Sequence, residues 1–196
     1  MTSKKNAEPS SPNEDTIWIR LGALDDLPDI LRMDEDLILF DHRFDPTLEL
    51  SWSQSDAGME FFRSRLTSAD GVVLVAQRRE GGLVAYLAAS VVEAANYRRI
   101  GPMAEVDCLF VEPEVRGKGV GQNLLRRFRE WAEENGLHRM RVVVSAENED
   151  AIRFYRREGF SPYDLVLEGG EIVSPQRPPS RTGANTSELF SGRNHE

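Results

Sequence analysis

Only one cysteine, Cys108, stands among the 196 residues, so no internal disulfide is available and the fold must rest on its core. No apolar run is long enough to cross a bilayer, and the opening Met1-Thr-Ser-Lys-Lys-Asn lacks the apolar stretch of a secretory leader. The expected location is therefore cytoplasmic, with no membrane partner. A basic excess is also missing: 24 Lys and Arg face 33 Asp and Glu, for a formal net charge of -9. That balance argues against a nucleic-acid partner, whose binding surfaces are normally basic. It favours a cationic partner only weakly, because salt screens such a field. No internal repeat is present, and no metal site is expected. What remains, 40% hydrophobic and 29% charged residues, is enough for one soluble domain with a sizeable core.

The most informative segment is Val111-Glu-Pro-Glu-Val-Arg116-Gly-Lys-Gly-Val-Gly121, which runs from an apolar strand into an amphipathic helix. Glycines at 117, 119 and 121 allow backbone N–H groups to converge with no Cβ in the way. The helix that follows adds its unpaired first amides and the positive end of its dipole. Such a turn suits a phosphate or pyrophosphate, and Arg116 and Lys118 add charge-assisted contacts. No P-loop string occurs, and the dinucleotide fingerprint fails at Gln122, where its third glycine belongs. An ordinary strand-to-helix turn, with glycines for tight geometry, is the alternative reading.

A second segment, Asn148-Glu-Asp-Ala151-Ile-Arg-Phe-Tyr155-Arg-Arg-Glu-Gly159-Phe160, follows another predicted strand, Arg139 to Ser145. It reads as a capped helix: Asn148 at the N-cap, Glu149 and Asp150 at the positive end, Gly159 at the left-handed stop and Phe160 packing back. Together, Arg116-x-x-Gly119-x-Gly121 and Asn148-x-x-Ala151-x-x-x-Tyr155-x-x-x-Gly159-Phe160 resemble the two cofactor motifs of the GNAT superfamily of acetyl-CoA-dependent N-acetyltransferases. The resemblance covers the middle and most of the C-terminal half, and the N-terminal half in outline.

Along the chain, residues 1–15 are polar with Pro9 and Pro12 and read as a tail. Ile17, Ile19 and Leu21 alternate as a strand, and Leu27, Ile30, Leu31 and Leu37 keep a helical rhythm after Asp25 or Asp26, with Pro28 tolerated near the start. A loop around Pro46 precedes a short helix marked by Met59, Phe61, Phe62 and Leu66. Val72 to Ala76 and Leu83 to Val92 flank Glu80-Gly81-Gly82 as a hairpin. Glu105 to Val111 is the next strand, and Leu124, Leu125, Phe128, Trp131 and Ala132 mark the buried face of the helix beyond the glycine turn. A last strand is expected at Tyr163 to Glu168. Glu171-Ile172-Val173 is a candidate stub of one more strand within an otherwise loose tail, 171–196. The domain is thus placed at 16–170.

The order of elements resembles the GNAT fold, an α/β architecture with a splayed mixed sheet and helices on both faces. The family usually ends in two strands after the Gly-Phe helix, and only one is convincing here. The substrate side is then more open than usual or is completed by a second chain, as in a homodimer.

The resemblance implies the following roles. The pantetheine arm of acetyl-CoA lies along Leu109, Phe110 and Val111, where a bulge splays the strand. The segment from Arg116 to Gln122 (Gly117, Lys118, Gly119, Val120 and Gly121 between them) holds the pyrophosphate. Asn148 caps its helix and is a candidate cofactor contact. Tyr155 is the candidate donor to the departing sulfur; a thiol near 8.5 and a phenol near 10 make full proton transfer uphill by roughly 2 kcal/mol, so a strong hydrogen bond is the expected role. Glu105 and Asp107, two apart on one strand face, are the candidate bases for an amine: Glu105 first, because Ala104-Glu105-Val106 resembles the Ala-Glu-apolar string of some histone-acetylating members, and Asp107, closer to the cofactor arm, second. Each is alternatively a structural acid paired with an arginine such as Arg98 or Arg99. The acceptor pocket is expected around Asp34-Glu35-Asp36 and Phe40-Asp41-His42-Arg43-Phe44-Asp45, with His42 on the surface. These acids suit a small cationic amine or a peptide amine, and equally a solvated loop. The competing functions are a non-catalytic CoA-binding sensor or partner-recruiting module, and a nicotinamide-binding protein using Glu147 on the ribose.

Overall fold

Alternating apolar side chains in Ile17, Ile19, the run Val72 to Ala76 and the run Leu83 to Ala89 build a sheet buried on both faces, so helices must cover each side. The computed structural model describes residues 17–169. The chain divides into two units, Met1–Ser161 and Pro162–Glu196. Every helix and strand among the described residues belongs to the first. The expected 1–15 tail, the Glu171-Ile172-Val173 stub and the loose C-terminal tail lie outside the described residues.

Strand β1 (Ile17–Leu21) is followed by helices α1 (Leu27–Asp41) and α2 (Asp56–Thr67), with a 3-10 turn at Trp52–Gln54 between them. Strands β2 (Gly71–Arg78), β3 (Leu83–Val92) and β4 (Met103–Val111) come next. Helix α3 (Val120–Glu134), strand β5 (Met140–Val142) and helix α4 (Glu149–Arg157) complete the order. The strands lie β1-β2-β3-β4-β5; the first three seams are antiparallel and β4–β5 is parallel.

Local chemistry accounts for the helix bounds. Pro28 sits in the first turn of α1, where its missing N–H costs nothing. Ser55 caps α2 by accepting from the Gly58 amide at 3.1 Å. Helices α3 and α4 stop in the same way. Gly136 (φ 70°) and Gly159 (φ 87°) take the left-handed position, and the next residues, Leu137 and Phe160, donate back to Ala132 O and Tyr155 O at 2.9 and 3.0 Å.

One face of the sheet packs against α3 and α4 through Leu124, Leu125, Phe128 and Tyr155. The other packs against α1 and α2 through Ile30, Met33 and Phe62, which meet Tyr86, Ala88 and Phe110. Burying each large apolar side chain contributes about 1.5–3 kcal/mol.

Two expectations need correction. The strand predicted from Arg139 to Ser145 is paired only at Met140–Val142. The predicted strand at Tyr163 to Glu168 does not form, and Leu165, Val166 and Leu167 are exposed. Apolar alternation supplies a face to bury; a strand also needs a paired neighbour, which alternation does not specify.

Candidate active site

Strands β4 and β5 share only three register pairs, Ala104–Met140, Glu105–Arg141 and Val106–Val142, and part beyond them. The opening is a cavity of about 690 Å³, walled by Val106–Val111 on one side and Val142–Ser145 on the other. A shift in the β3–β4 register, from Ala89–Val106 to Ala88–Cys108, leaves Asp107 as the extra residue of a bulge. Below the bulge Ala104 and Val106 face α3, while beyond it Cys108 and Phe110 face α1 and α2. On the open side, the edge of β4 from Asp107 to Val111 has no ladder partner in β5. Leu109, Phe110 and Val111, the expected arm-binding residues, all line the cavity.

The glycine turn closes one end. Gly117 (φ 74°) and Gly119 (φ 81°) have the backbone conformation that L side chains rarely adopt. Gly119 is the N-cap of α3 and has no side chain to cap it; the first helical bond runs from Asn123 N to Gly119 O at 3.0 Å. The amides of Val120, Gly121 and Gln122 therefore precede the first intrahelical bond, and all three residues line the cavity. Gly121 is constrained for a different reason: a Cβ there would lie 3.2 Å from the Phe154 ring, which would have to give way. Gln122 ties this end to α4 by donating to Glu158 at 2.9 Å. Arg116 is exposed, donates to Val111 O at 2.8 Å and lies 5.8 Å from the rings of Phe40 and Phe110. Lys118 is exposed on the turn. Amides ahead of a helix, no Cβ between them and the cavity, and an arginine at the rim fit the pyrophosphate of acetyl-CoA.

Helix α4 forms the opposite wall. Asn148 accepts from the Ala151 amide at 3.1 Å, the expected cap, and also lines the cavity. Tyr155 faces the same space, held by the edges of Phe154 and Phe160 at 5.2 and 5.4 Å between centroids. It is only 9% exposed, and no described residue hydrogen-bonds to its hydroxyl. Burial, followed by the nearby Cys108 and Asp41, pushes its phenol well above the usual tyrosine range. The hydroxyl is thus a proton donor at every ordinary pH.

The two strand carboxylates have different surroundings. Glu105 accepts from Arg141 Nε and Nη2 at 2.8 and 2.6 Å and is not among the cavity-lining residues. Asp107 lines the cavity, accepting from Arg65 Nε and Ser90 Oγ, each at 3.1 Å. Burial raises its carboxyl above the usual range, and Arg65 works against that rise. Their arginine partners are thus Arg141 and Arg65, rather than Arg98 or Arg99.

The acids of α1 also separate. Asp34, only 1% exposed, lies beneath the helix and accepts from Tyr86 Oη at 2.5 Å and Ser53 Oγ at 2.6 Å. Desolvation raises its carboxyl despite those two donors. Asp36 is exposed and meets Arg32 at 3.8 Å. Of the acids expected around the acceptor, only Asp41 lines the main cavity, beside Leu37 and Phe40. His42 is half-buried, with Nδ1 enclosed and lacking a hydrogen-bond partner, so it is not the surface histidine expected. That Asp34 and Asp41 are set apart from Asp36 was readable in outline: Ile30, Asp34, Leu37 and Asp41 are spaced four, three and four apart, which sets both acids on the buried stripe of α1. Cys108 and the wall from Val142, the end of β5, to Ser145 were not anticipated as lining, because a splay between strands leaves no mark in periodicity.

The acetyltransferase (GNAT) family model matches residues 38–160 of this chain. An uncharacterized N-acetyltransferase of Methanocaldococcus jannaschii is 38% identical over 64 residues, 33% of this chain and 28% of that protein. Glucosamine 6-phosphate N-acetyltransferase 1 of Oryza sativa subsp. japonica is 33% identical over 106 residues, 52% of this chain and 62% of its own length. Both matches thus span less than two thirds of these relatives. Among solved structures, the aminoglycoside N-acetyltransferase AAC(6')-Iy in complex with CoA superposes with a TM-score of 0.65 at 18% identity, covering 83% of this chain and 99% of that one. At that identity the likeness is one of fold.

Proposed function

We propose, from the premise that this chain belongs to the acetyltransferase (GNAT) family, that it transfers an acetyl group from acetyl-CoA to a primary amine. The observation that carries this reading is the joining of three things in one cavity: the parted β4 and β5, the open amides of the glycine turn, and the Tyr155 hydroxyl. The CoA complex of AAC(6')-Iy and the N-acetyltransferase relatives support it.

Acetyl-CoA supplies an activated acetyl thioester. The turn from Arg116 to Gln122 would hold its pyrophosphate, and the unpaired edge of β4 at Leu109, Phe110 and Val111 would take the arm through main-chain hydrogen bonds. A backbone N–H on that edge would polarise the acetyl carbonyl. Tyr155 Oη would donate to the sulfur as charge develops there, its buried phenol keeping the proton until then. Asn148 would orient α4, and with it Tyr155, by its cap.

An amine near pKa 10.4 arrives protonated at neutral pH and must lose a proton to react. Glu105 and Asp107 are the candidates to receive it. Both are paired with an arginine; the cavity position of Asp107, which Glu105 does not share, favours Asp107.

Titration calorimetry tests the cofactor reading. Acetyl-CoA is expected to bind in the micromolar range and to raise the melting temperature, since it binds only the folded chain. Gly119→Glu, which adds bulk and negative charge at the left-handed N-cap, is expected to abolish both effects. No binding by the wild-type protein, or tighter binding of NADH, would overturn the reading.

A further inference from the structure

Five carboxylates lie in or near the cavity, and four of them are already engaged. Glu105 is paired with Arg141, Asp107 with Arg65, Asp150 with Arg153, and Asp34 is held by the hydroxyls of Tyr86 and Ser53. Asp41 differs. It is half-buried, lines the cavity from the last turn of α1, and accepts no side-chain hydrogen bond or ion pair among the described residues. Its neighbour Arg43 does not neutralise it by contact: that guanidinium stacks on the Phe40 ring at 3.8 Å and donates to Phe40 O at 3.0 Å. A carboxylate withdrawn from water with no cation against it is costly, and a ligand cation that fills the gap recovers that cost. Leu37 and Phe40, one turn or less before Asp41 on the same helix, and Phe110 across from them present apolar surface to the same cavity.

We propose that Asp41 is the anchor for the ammonium group of the acceptor, and that the acceptor is a primary amine on an apolar stem lying against Leu37, Phe40 and Phe110. This assignment rests on the reading of the cavity as an acetyl-transfer site, and it names the class of amine that site takes. The charge of Asp41 selects for the cation, and the apolar wall selects against a stem studded with hydroxyls, whose polar groups would lose water without replacement.

The probe for the test is 2-phenylethylamine, an ammonium on an apolar stem, with 2-phenylethanol as its uncharged counterpart. CoA is titrated first, by calorimetry, into wild-type, Asp41→Asn and Asp41→Glu proteins; the affinities are expected to agree within about twofold, because the proposed pyrophosphate contacts are backbone amides of the glycine turn and none is made by Asp41. The amine is then titrated into each CoA-loaded protein. Wild type is expected to bind it saturably and to prefer it to the alcohol. Asp41→Asn should weaken amine binding by about tenfold or more while leaving alcohol binding unchanged, as befits the loss of one charge-assisted contact. Asp41→Glu keeps the charge and should retain most of the affinity. In turnover with the same amine and acetyl-CoA, the Asn variant should raise KM by more than it lowers kcat, which a purely structural role would not do. Wild-type protein that takes up no CoA overturns the acetyl-transfer reading and this proposal with it. Protein that takes up CoA but binds amine and alcohol alike, or neither, or whose Asn variant binds the amine as well as wild type does, overturns the Asp41 assignment alone.

Discussion

At Tyr155 the burial that packs the ring also holds the proton on its oxygen, so position and chemistry rest on the same contacts with Phe154 and Phe160. Tyr155→Phe keeps the ring and removes only the hydroxyl. Turnover is expected to fall by roughly ten- to a thousandfold, the range for one positioned donor, with the melting curve and acetyl-CoA affinity close to wild type. An unchanged rate, measured where chemistry limits turnover, would return Tyr155 to a packing role. The carboxylates make a second test. Glu105→Gln breaks a partly exposed ion pair with Arg141, which should cost under about 1 kcal/mol of stability and little rate. Asp107→Asn should lower turnover at neutral pH and recover part of it as the pH rises. The sign follows from the amine: free base becomes available in solution above neutral pH, so the help of a carboxylate matters less there. A pH–rate profile in which Glu105→Gln is the impaired variant and Asp107→Asn is not would reverse the order. Residue identities of this kind were legible because motif spacing placed Tyr155, Asn148 and the glycines relative to one another. The engagement of Glu105 by Arg141 was not, since it depends on a parallel register 36 positions apart.

Helices and their ends were the most legible elements, because caps and stops are local chemistry. Asn148 and Gly159, both readable as cap and stop, satisfy or redirect backbone groups within a few residues of themselves. Strands were less so. Arg139 to Ser145 has the composition of a full strand, yet only its first part pairs, because β4 bulges at Asp107 and turns away. The approach of two helices was equally hidden: Gly121 reads as one more glycine of a turn, and its need comes from Phe154 on α4. Gly121→Val should therefore destabilise the fold by about 1–3 kcal/mol through overpacking at the α3–α4 contact. Adding Phe154→Leu should recover part of that loss, giving a favourable coupling in a denaturation double-mutant cycle. Strict additivity of the two changes would mean that the ring and the glycine are energetically independent.

For the molecule as a whole, the three-pair seam between β4 and β5 sets a hierarchy of local stability. Strands β2 and β3 are paired along their length and covered on both faces, whereas β5 and the helix that follows it are joined to the sheet by a short ladder beside a cavity. Amide hydrogen exchange should show this directly. The amides of Ile152 to Tyr155 are expected to exchange through a sub-global opening well below the global unfolding free energy, and those of Leu74 to Ala76 only near that limit. Saturating CoA should slow the first group far more than the second, by a factor approaching 1 + [CoA]/Kd. Equal protection of both groups without CoA would show that the seam is no weak point. If the gradient is found and CoA closes it, acetyl-CoA bound as proposed along β4 would act as a removable strand of the sheet. Each turnover then unbinds part of the fold along with the product, and the time α4 takes to settle back becomes a limit on how fast the next acetyl group can be moved.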